Sequence, residues 1–156
     1  MSFISSRGGS GQAFSLTGNI DLYVTDSGVD VNGNRTESSG NLSSKPFLTI
    51  NGALTYLPNS RSLNGYTATI HYTRSVAQSV TASGFRNGNL ILDGTILNTS
   101  TFSGCDNISL TNIEAVGQIT INNSNSIVRG NVHDNGCLFL NGGITNVQIS
   151  ADILRF

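Results

Sequence analysis

The chain has 156 residues, which is enough for one domain and too few for two of ordinary size, and Gly, Asn, Ser and Thr supply 73 of them. Lys occurs once and Glu twice, so helical bundles, coiled coils and doubly wound α/β folds are disfavoured and a turn-rich all-β protein is predicted. The net charge is −1 and the eight basic residues are scattered, so we expect no nucleic-acid partner, and no apolar run is long enough for membrane insertion.

The beginning of the chain predicts an arm, a strand and a polar loop. Residues 1–20 are rich in Gly and Ser and lack the apolar core of a secretory signal, which favours a connector that becomes ordered on a partner. Residues 21–25 predict a short strand. The loop that follows has oxygen-bearing side chains at Asp30, Asn32 and Asn34. Because the glycine and the final glutamate of a calcium loop are missing from their positions, we predict a plain turn-rich loop and no metal site.

One segment has the periodicity of a helix. Ser44 offers a capping hydroxyl, Pro46 suits a first helical turn, and Pro58 ends the segment. Apolar residues recur at i, i+3, i+4 and i+7 and predict one buried stripe. The stripe consists of Ile50, Ala53, Leu54 and Leu57. Residues 21–65 are therefore predicted to form an opening unit of strand, loop and helix.

Residues 66–156 contain an internal repeat with a period of about 19 residues. One aliphatic column, whose members are spaced by nearly one period, comprises Leu90, Ile108, Ile127 and Val147. A second column, spaced evenly by one period, comprises Phe102, Ile121 and Leu140. A third column comprises Ile96, Ile113, Val132 and Ile153. Such a repeat, with short strands and turn residues, is typical of a solenoid in which each column becomes an interior ladder.

Two details of the repeat call for local explanations. Arg129 breaks a pattern that Leu92, Leu110 and Ile149 keep, and this predicts either a local register shift or an inward-facing arginine with a partner. Asn residues recur at the corners, where a left-handed backbone and stacking of amides on neighbouring coils are expected.

Few residues carry reactive chemistry. Glu114 and His133 share a phase on adjacent coils, and Asp134 follows His133, so these three could form an acid–base group. Polar residues at a solenoid corner are the alternative explanation, and we assign no catalytic residue and no cofactor. Cys105 and Cys137 fit no zinc spacing and are predicted to be free thiols, unless the fold brings them within disulfide distance.

Aromatic residues offer a second kind of candidate site. The four tyrosines all lie in the first half of the chain: Tyr23, Tyr56, Tyr66 and Tyr72. Exposed rings would stack on sugars, whereas buried rings would only fill the core. His71 is predicted to be a histidine on a strand face.

The opening unit resembles that of pectate-lyase-like right-handed parallel β-helices, a group that includes phage tailspikes and tail fibres. The matching residues are Leu22–Gly33 and Ser44–Leu54, with Lys45-Pro46-Phe47-Leu48-Thr49-Ile50 at the start of the helix. The resemblance implies a short right-handed parallel β-helix over residues 66–156 whose N-terminal end is plugged by the helix, and a homotrimer. An amphipathic helix over an open apolar end would also block aggregation.

We therefore expect a virion structural protein, a tail or collar fibre or spike subunit that serves particle assembly or host-surface attachment. The arm at residues 1–20 would bind other virion proteins, and host surface polysaccharide is a further candidate partner. One alternative is a polysaccharide lyase or glycoside hydrolase that uses Glu114, His133 and Asp134. Another is a non-viral surface adhesin. An ice-binding role is disfavoured because the Thr-x-Thr pairs do not repeat in phase.

Overall fold

The computed structural model describes residues 14–30, 37–132, 136–142 and 145–151. Within them the chain forms twelve strands and one helix, α1 (Ile50–Tyr56). The strands are β1 (Ile20–Val24), β2 (Gly40–Asn41), β3 (Thr67–Tyr72), β4 (Thr81–Ser83), β5 (Asn89–Asp93), β6 (Ile96–Leu97), β7 (Ser100–Ser103), β8 (Ile108–Ala115), β9 (Gln118–Asn122), β10 (Ser126–Val132), β11 (Cys137–Asn141) and β12 (Thr145–Ala151). They coil into a parallel β-solenoid of about 6 turns, which confirms the predicted fold class. The right-handed sense of the coil stays a prediction.

The strands form two parallel sheets. The larger sheet has the order β12-β10-β8-β5-β3-β1-β2, with β6 beside β8, and the smaller sheet has the order β11-β9-β7-β4. Successive coils thus add neighbouring strands to each sheet. Because side chains alternate along a strand, every second residue points into the space between the sheets.

The interior of the larger sheet is an aliphatic ladder. Its five described side chains are in register on successive coils and at most 1% exposed: Leu22, Ile70, Leu92, Leu110 and Val128. Stacked aliphatic side chains remove apolar surface from water, at about 25 cal/mol per Å². This ladder is the core of the coil stack.

The second predicted column is confirmed in the smaller sheet. Phe102 is in register with Ile121, and Ile121 with Leu140, so the three form one row, which Ala82 extends on β4. Phe102 and Ile121 are buried, but Leu140 is 42% exposed. The row therefore becomes exposed to solvent at β11, the last strand of this sheet.

The first predicted column is wrong by a single position on β10. Leu90 and Ile108 are in register, but Ile108 is opposite Ser126 instead of Ile127. Ile127 is opposite Ser109 and is 36% exposed, whereas its neighbour Val128 is buried. The aliphatic count misleads here because both residues are apolar and only one of them can face inward.

A β-bulge explains the misfit of Arg129. The register shifts between Val128 and Gly130, so that two residues of β8 are opposite Arg129. One of these two, Asn112, has a left-handed φ of 52°. Gly130 crosses so close to Ile113 that a Cβ atom would lie 2.2 Å from the Ile113 carbonyl oxygen. Arg129 is exposed, so the register shift is the correct explanation and the inward arginine is wrong.

The third predicted column is also displaced. Ile113 is opposite Gly130, and Val132 is opposite Ala115. Leu97 is opposite Ala115 as well, so the observed row runs through Leu97, Ala115 and Val132. The offsets counted along the sequence do not include the bulge. Ile153 lies outside the described residues.

The helix begins later than predicted. Thr49 is its N-cap, and the Thr49 hydroxyl accepts a hydrogen bond from the Gly52 N–H. Ser44 and Pro46 lie before the helix and do not start it. The predicted stripe is confirmed, since all four of its residues are at most 2% exposed.

The helix contacts both sheets and hydrogen-bonds to the edge of the smaller one. The Asn51 side chain donates to the Ser79 carbonyl and accepts from the Thr81 N–H, so it continues the hydrogen bonding of β4. The Gln78 side chain accepts from the Ile50 N–H at 2.8 Å. At the same end of the larger sheet, the outermost strand is β2. These hydrogen bonds involve one sheet, but the helix also contacts β1 and β3 of the larger sheet. A plug over the whole end of the stack stays a prediction.

The last part of the predicted arm contacts the solenoid. Leu16 is fully buried, and Phe14 packs edge-to-face on Tyr56 with ring centroids 5.8 Å apart. The Thr17 N–H donates to the Ser38 carbonyl. Residues 14–19 are therefore part of the folded body, and residues 1–13 lie outside the described residues.

The register on β10 can be tested with two neighbouring substitutions. Val128→Asp buries a carboxylate in the ladder, so we expect it to lower the free energy of unfolding by about 4 kcal/mol or more. Ile127→Asp lowers the β-propensity of the strand by a similar amount, but its side chain is at the surface. It should therefore lower the free energy of unfolding by only about 1 kcal/mol. Urea unfolding followed by circular dichroism measures both. A larger loss for Ile127→Asp would support the column predicted from sequence.

Candidate functional site

The structure describes only one residue of the predicted acid–base group, Glu114. Glu114 lies on β8, is exposed, and is opposite Asn131 on β10. The bulge shortens the offset between these two strands at this point, so the neighbour of Glu114 is not the residue one full period later. His133 and Asp134 lie outside the described residues. The group therefore stays a prediction.

Asp30 of the polar loop binds the two residues that directly precede the helix. The Asp30 carboxylate accepts hydrogen bonds from the N–H groups of Leu48 and Thr49, at 2.9 and 3.0 Å, and from the Thr49 hydroxyl. Asn32 and Asn34 lie outside the described residues. Among the residues that the structure describes, no group of three or more His, Cys, Asp or Glu side chains is placed to hold a metal ion.

A polar network on the outer face of the larger sheet was not found from the sequence. Tyr23, His71 and Asp93 are in register on β1, β3 and β5. The His71 ring lies between two carboxylates: its Nε2 is 3.2 Å from Asp21 Oδ1, and its Nδ1 is 3.6 Å from Asp93 Oδ2. The ring also stacks on Tyr23, with centroids 4.8 Å apart. We call this group, with its hydrogen-bond partners, the histidine network.

The histidine network extends over neighbouring strands on both sides. Asp93 Oδ1 accepts from the Thr111 hydroxyl at 3.0 Å and from the Asn112 amide at 2.8 Å. The Tyr23 hydroxyl accepts from the Asn41 amide at 2.8 Å. The network thus runs from β2 through β1, β3 and β5 to β8. Its groups belong to five adjacent strands, so it ties the first coils to one another.

The chemistry open to the histidine network follows from its exposure. The His71, Asp21 and Asp93 side chains are 31%, 41% and 35% exposed, so water screens their charges. Both imidazole nitrogens face carboxylates within the network, so the polar atoms left for a ligand are the exposed carboxylate oxygens. Tyr23 already stacks on one ring face of His71. The network therefore joins neighbouring coils and leaves polar groups partly exposed at the surface.

The remaining tyrosines divide between core and boundary. Tyr56 and Tyr72 are 6% and 5% exposed, and burial raises the pKa of both phenols. Tyr66 is half-buried and packs against the core. Tyr56 and Tyr72 therefore fill the core and do not present a ring face to a sugar, as expected for buried rings.

The two cysteines are both free, as predicted. Cys105 is buried, and burial raises the pKa of its thiol. Its N–H donates to the hydroxyl of Ser124, a buried residue one coil further on. Cys137 is exposed at the start of β11. The two thiols thus differ strongly in their access to water.

An open groove with a volume of about 330 Å³ lies where the chain turns into β5, β8 and β10. Asn89, Asn107 and Asn125 line it on three successive coils, together with the half-exposed Ile127. The Asn107 amide donates to the Gly88 carbonyl, so part of this row supports the corner. The predicted left-handed asparagines are found at corners as well, at Asn87 and Asn123 among others.

The comparisons with known proteins found no relative of this chain. No family model, no curated protein and no solved structure matches the chain. No helix in the described part of the chain is long and apolar enough to cross a membrane. The class that the fold defines is a parallel β-solenoid with a short helix.

Coupling within the histidine network can be measured with a double-mutant cycle. His71→Ala and Asp93→Ala should each destabilise the protein, and their effects should couple by about 0.5 kcal/mol because the pair is partly exposed. Urea unfolding of the two single variants and the double variant gives this value. The control cycle pairs His71→Ala with Thr101→Ala on the other sheet and should show no coupling. Equal coupling in both cycles would contradict a direct contact.

Proposed function

We propose that the chain is a structural subunit of a virus particle, in a tail or collar fibre or spike, and serves particle assembly or host-surface attachment. The observation that carries the proposal is the opening unit, whose residues resemble those of phage tailspikes and tail fibres. The Phe47 N–H donates to the Tyr23 carbonyl at 2.7 Å, and the Thr25 N–H donates back to the Phe47 carbonyl at 3.0 Å. Phe47 is 5% exposed. Phe47, which belongs to the segment that carries the resemblance, thus pairs with β1 through its backbone.

A glycine in the loop supports the same likeness. A Cβ atom on Gly28 would lie 1.9 Å from the Phe47 carbonyl oxygen, so only glycine fits. Next to it, the Val29 N–H donates to the Pro46 carbonyl. The Gly-containing loop and the Lys45-Pro46-Phe47 segment therefore depend on each other. Motif residues that contact one another are a stronger basis for a resemblance than separate sequence matches.

The coil stack suits a rigid spacer. Each coil contacts its neighbours through parallel strands and an interior ladder, so stability accumulates along the stack. In this proposal the fibre is a homotrimer on the extracellular particle. The N-terminal arm binds other virion proteins, and a host surface polysaccharide is the partner at the cell.

Immunogold electron microscopy tests the proposal. Antibodies against the folded chain are applied to virus particles purified from the lysed culture that produces the protein. We expect gold at the tail or collar, and we expect the label to disappear when the antibody is first absorbed with the folded chain. Particles without label, and without peptides of this chain in mass spectrometry, would overturn the proposal. Label on the surface of uninfected cells would favour the non-viral adhesin.

The enzyme alternative predicts a different result in a simple assay. Incubation of the chain with surface polysaccharide of the host cell should release no reducing ends if the chain is a fibre subunit. Release that is lost in Glu114→Gln and kept in Glu37→Gln would favour the lyase or hydrolase. Glu37 is the matched control because it is the other glutamate of the chain.

A further inference from the structure

The outer face of the smaller sheet carries no charged side chain on any of its four described strands. Its outward positions form rows on successive coils, for example Thr81, Thr101, Thr120 and Phe139. The ten outward residues of the four strands are Thr81, Ser83, Thr101, Ser103, Gln118, Thr120, Asn122, Cys137, Phe139 and Asn141. We call this surface the neutral face.

The larger sheet differs in its outward residues. These include Asp21, His71, Asp93 and Arg129. A surface that faces the symmetry axis of an oligomer brings like residues of the copies close together, and like charges in contact cost several kcal/mol. The outer face of the larger sheet is therefore poorly suited to self-contact. The neutral face has no such penalty.

The side chains of the neutral face are also chemically self-complementary. Hydroxyl and amide groups are both donors and acceptors, so a row of Ser, Thr, Asn and Gln can hydrogen-bond to an identical row. The Asn141 amide already does this within the chain, donating to Asn122 Oδ1 on the neighbouring coil at 3.0 Å. Carboxylates or ammonium groups could not pair with themselves in this way.

An aromatic residue lies at one end of the neutral face. Phe139 is 49% exposed, and Cys137, on the same strand, is exposed as well. A half-exposed aromatic ring among polar neighbours is the kind of residue that dominates binding energy once it is covered. Interfaces are depleted of charged residues in their centre, as this face is.

We infer that the neutral face is the contact surface for a second copy of this chain. The inference rests on the proposed homotrimeric fibre and deepens it, since it assigns the surface that faces the symmetry axis and the other copies. The histidine network then lies on the other sheet, away from the contact. Because the fibre role has its own test on virus particles, the two proposals can fail separately.

The experiment measures the mass of the full chain in solution by light scattering over a series of concentrations. The chain has a mass of 16.4 kDa, and we expect a multiple of this value. Thr101→Arg places like charges in the contact and should weaken association by roughly 100-fold. Ser109→Arg, a matched change on the outer face of the larger sheet, should leave the mass unchanged. Circular dichroism checks that both variants are folded, and Phe139→Ser replaces Thr101→Arg if the latter does not fold.

The exposed thiol gives a second readout in the same samples. The reaction of Cys137 with a maleimide should slow as the concentration of the chain rises, because association covers it, whereas Cys105 is buried and should not react. In Thr101→Arg the rate should not depend on concentration.

Three outcomes would overturn the inference. The first is a chain that is monomeric at every concentration. The second is loss of association in Ser109→Arg but not in Thr101→Arg. The third is a monomer whose midpoint of thermal unfolding is raised by dextran, with no such rise in Thr101→Arg. The third outcome would make the neutral face a surface for neutral glycans. A monomer found on virus particles would leave the fibre role in place and remove only the self-contact.

Discussion

The structure depends on parallel pairing of each coil with the next in a register that keeps one set of side chains inside. Side chains alternate across a strand, so a slip by a single position would turn the interior of a coil to the solvent. Leu92, Leu110 and Val128 hold this register on three successive coils. The bulge opposite Arg129 follows from the same constraint, because it absorbs a difference in coil length without moving Val128 out of the ladder.

The sequence predicts the fold well where the coils have equal length. Phe102, Ile121 and Leu140 are evenly spaced along the chain and lie in one row. The prediction fails on β10, where the offset changes along the strand and both Ile127 and Val128 are apolar. Alternation gives the correct answer there, since Ser126 and Val128 share a side and are both buried. A count of aliphatic residues does not include this alternation, so it cannot tell which of the two neighbouring apolar residues faces inward.

The errors at the helix and at the histidine network have a common cause in contacts between distant segments. Asp30, from the loop after β1, satisfies the N–H groups of Leu48 and Thr49, so the helix begins after Thr49 and not at the proline. Asp21, His71 and Asp93 are far apart along the chain and unevenly spaced, and only the register of β1, β3 and β5 brings them together. The repeat becomes regular only after β5, so its period does not reach this part of the chain.

The two sheets of one solenoid thus have outer faces of different chemistry. The first coils of the larger sheet are tied by charged and aromatic groups that lie side by side, and they need water around them to screen those charges. The smaller sheet has only neutral groups on the outside of its described strands, and removing them from water costs no charge desolvation. If a fibre is built from copies of this chain, the physical chemistry favours contact through the second surface and exposure of the first. The histidine network would then be on the side that faces solvent and any external ligand.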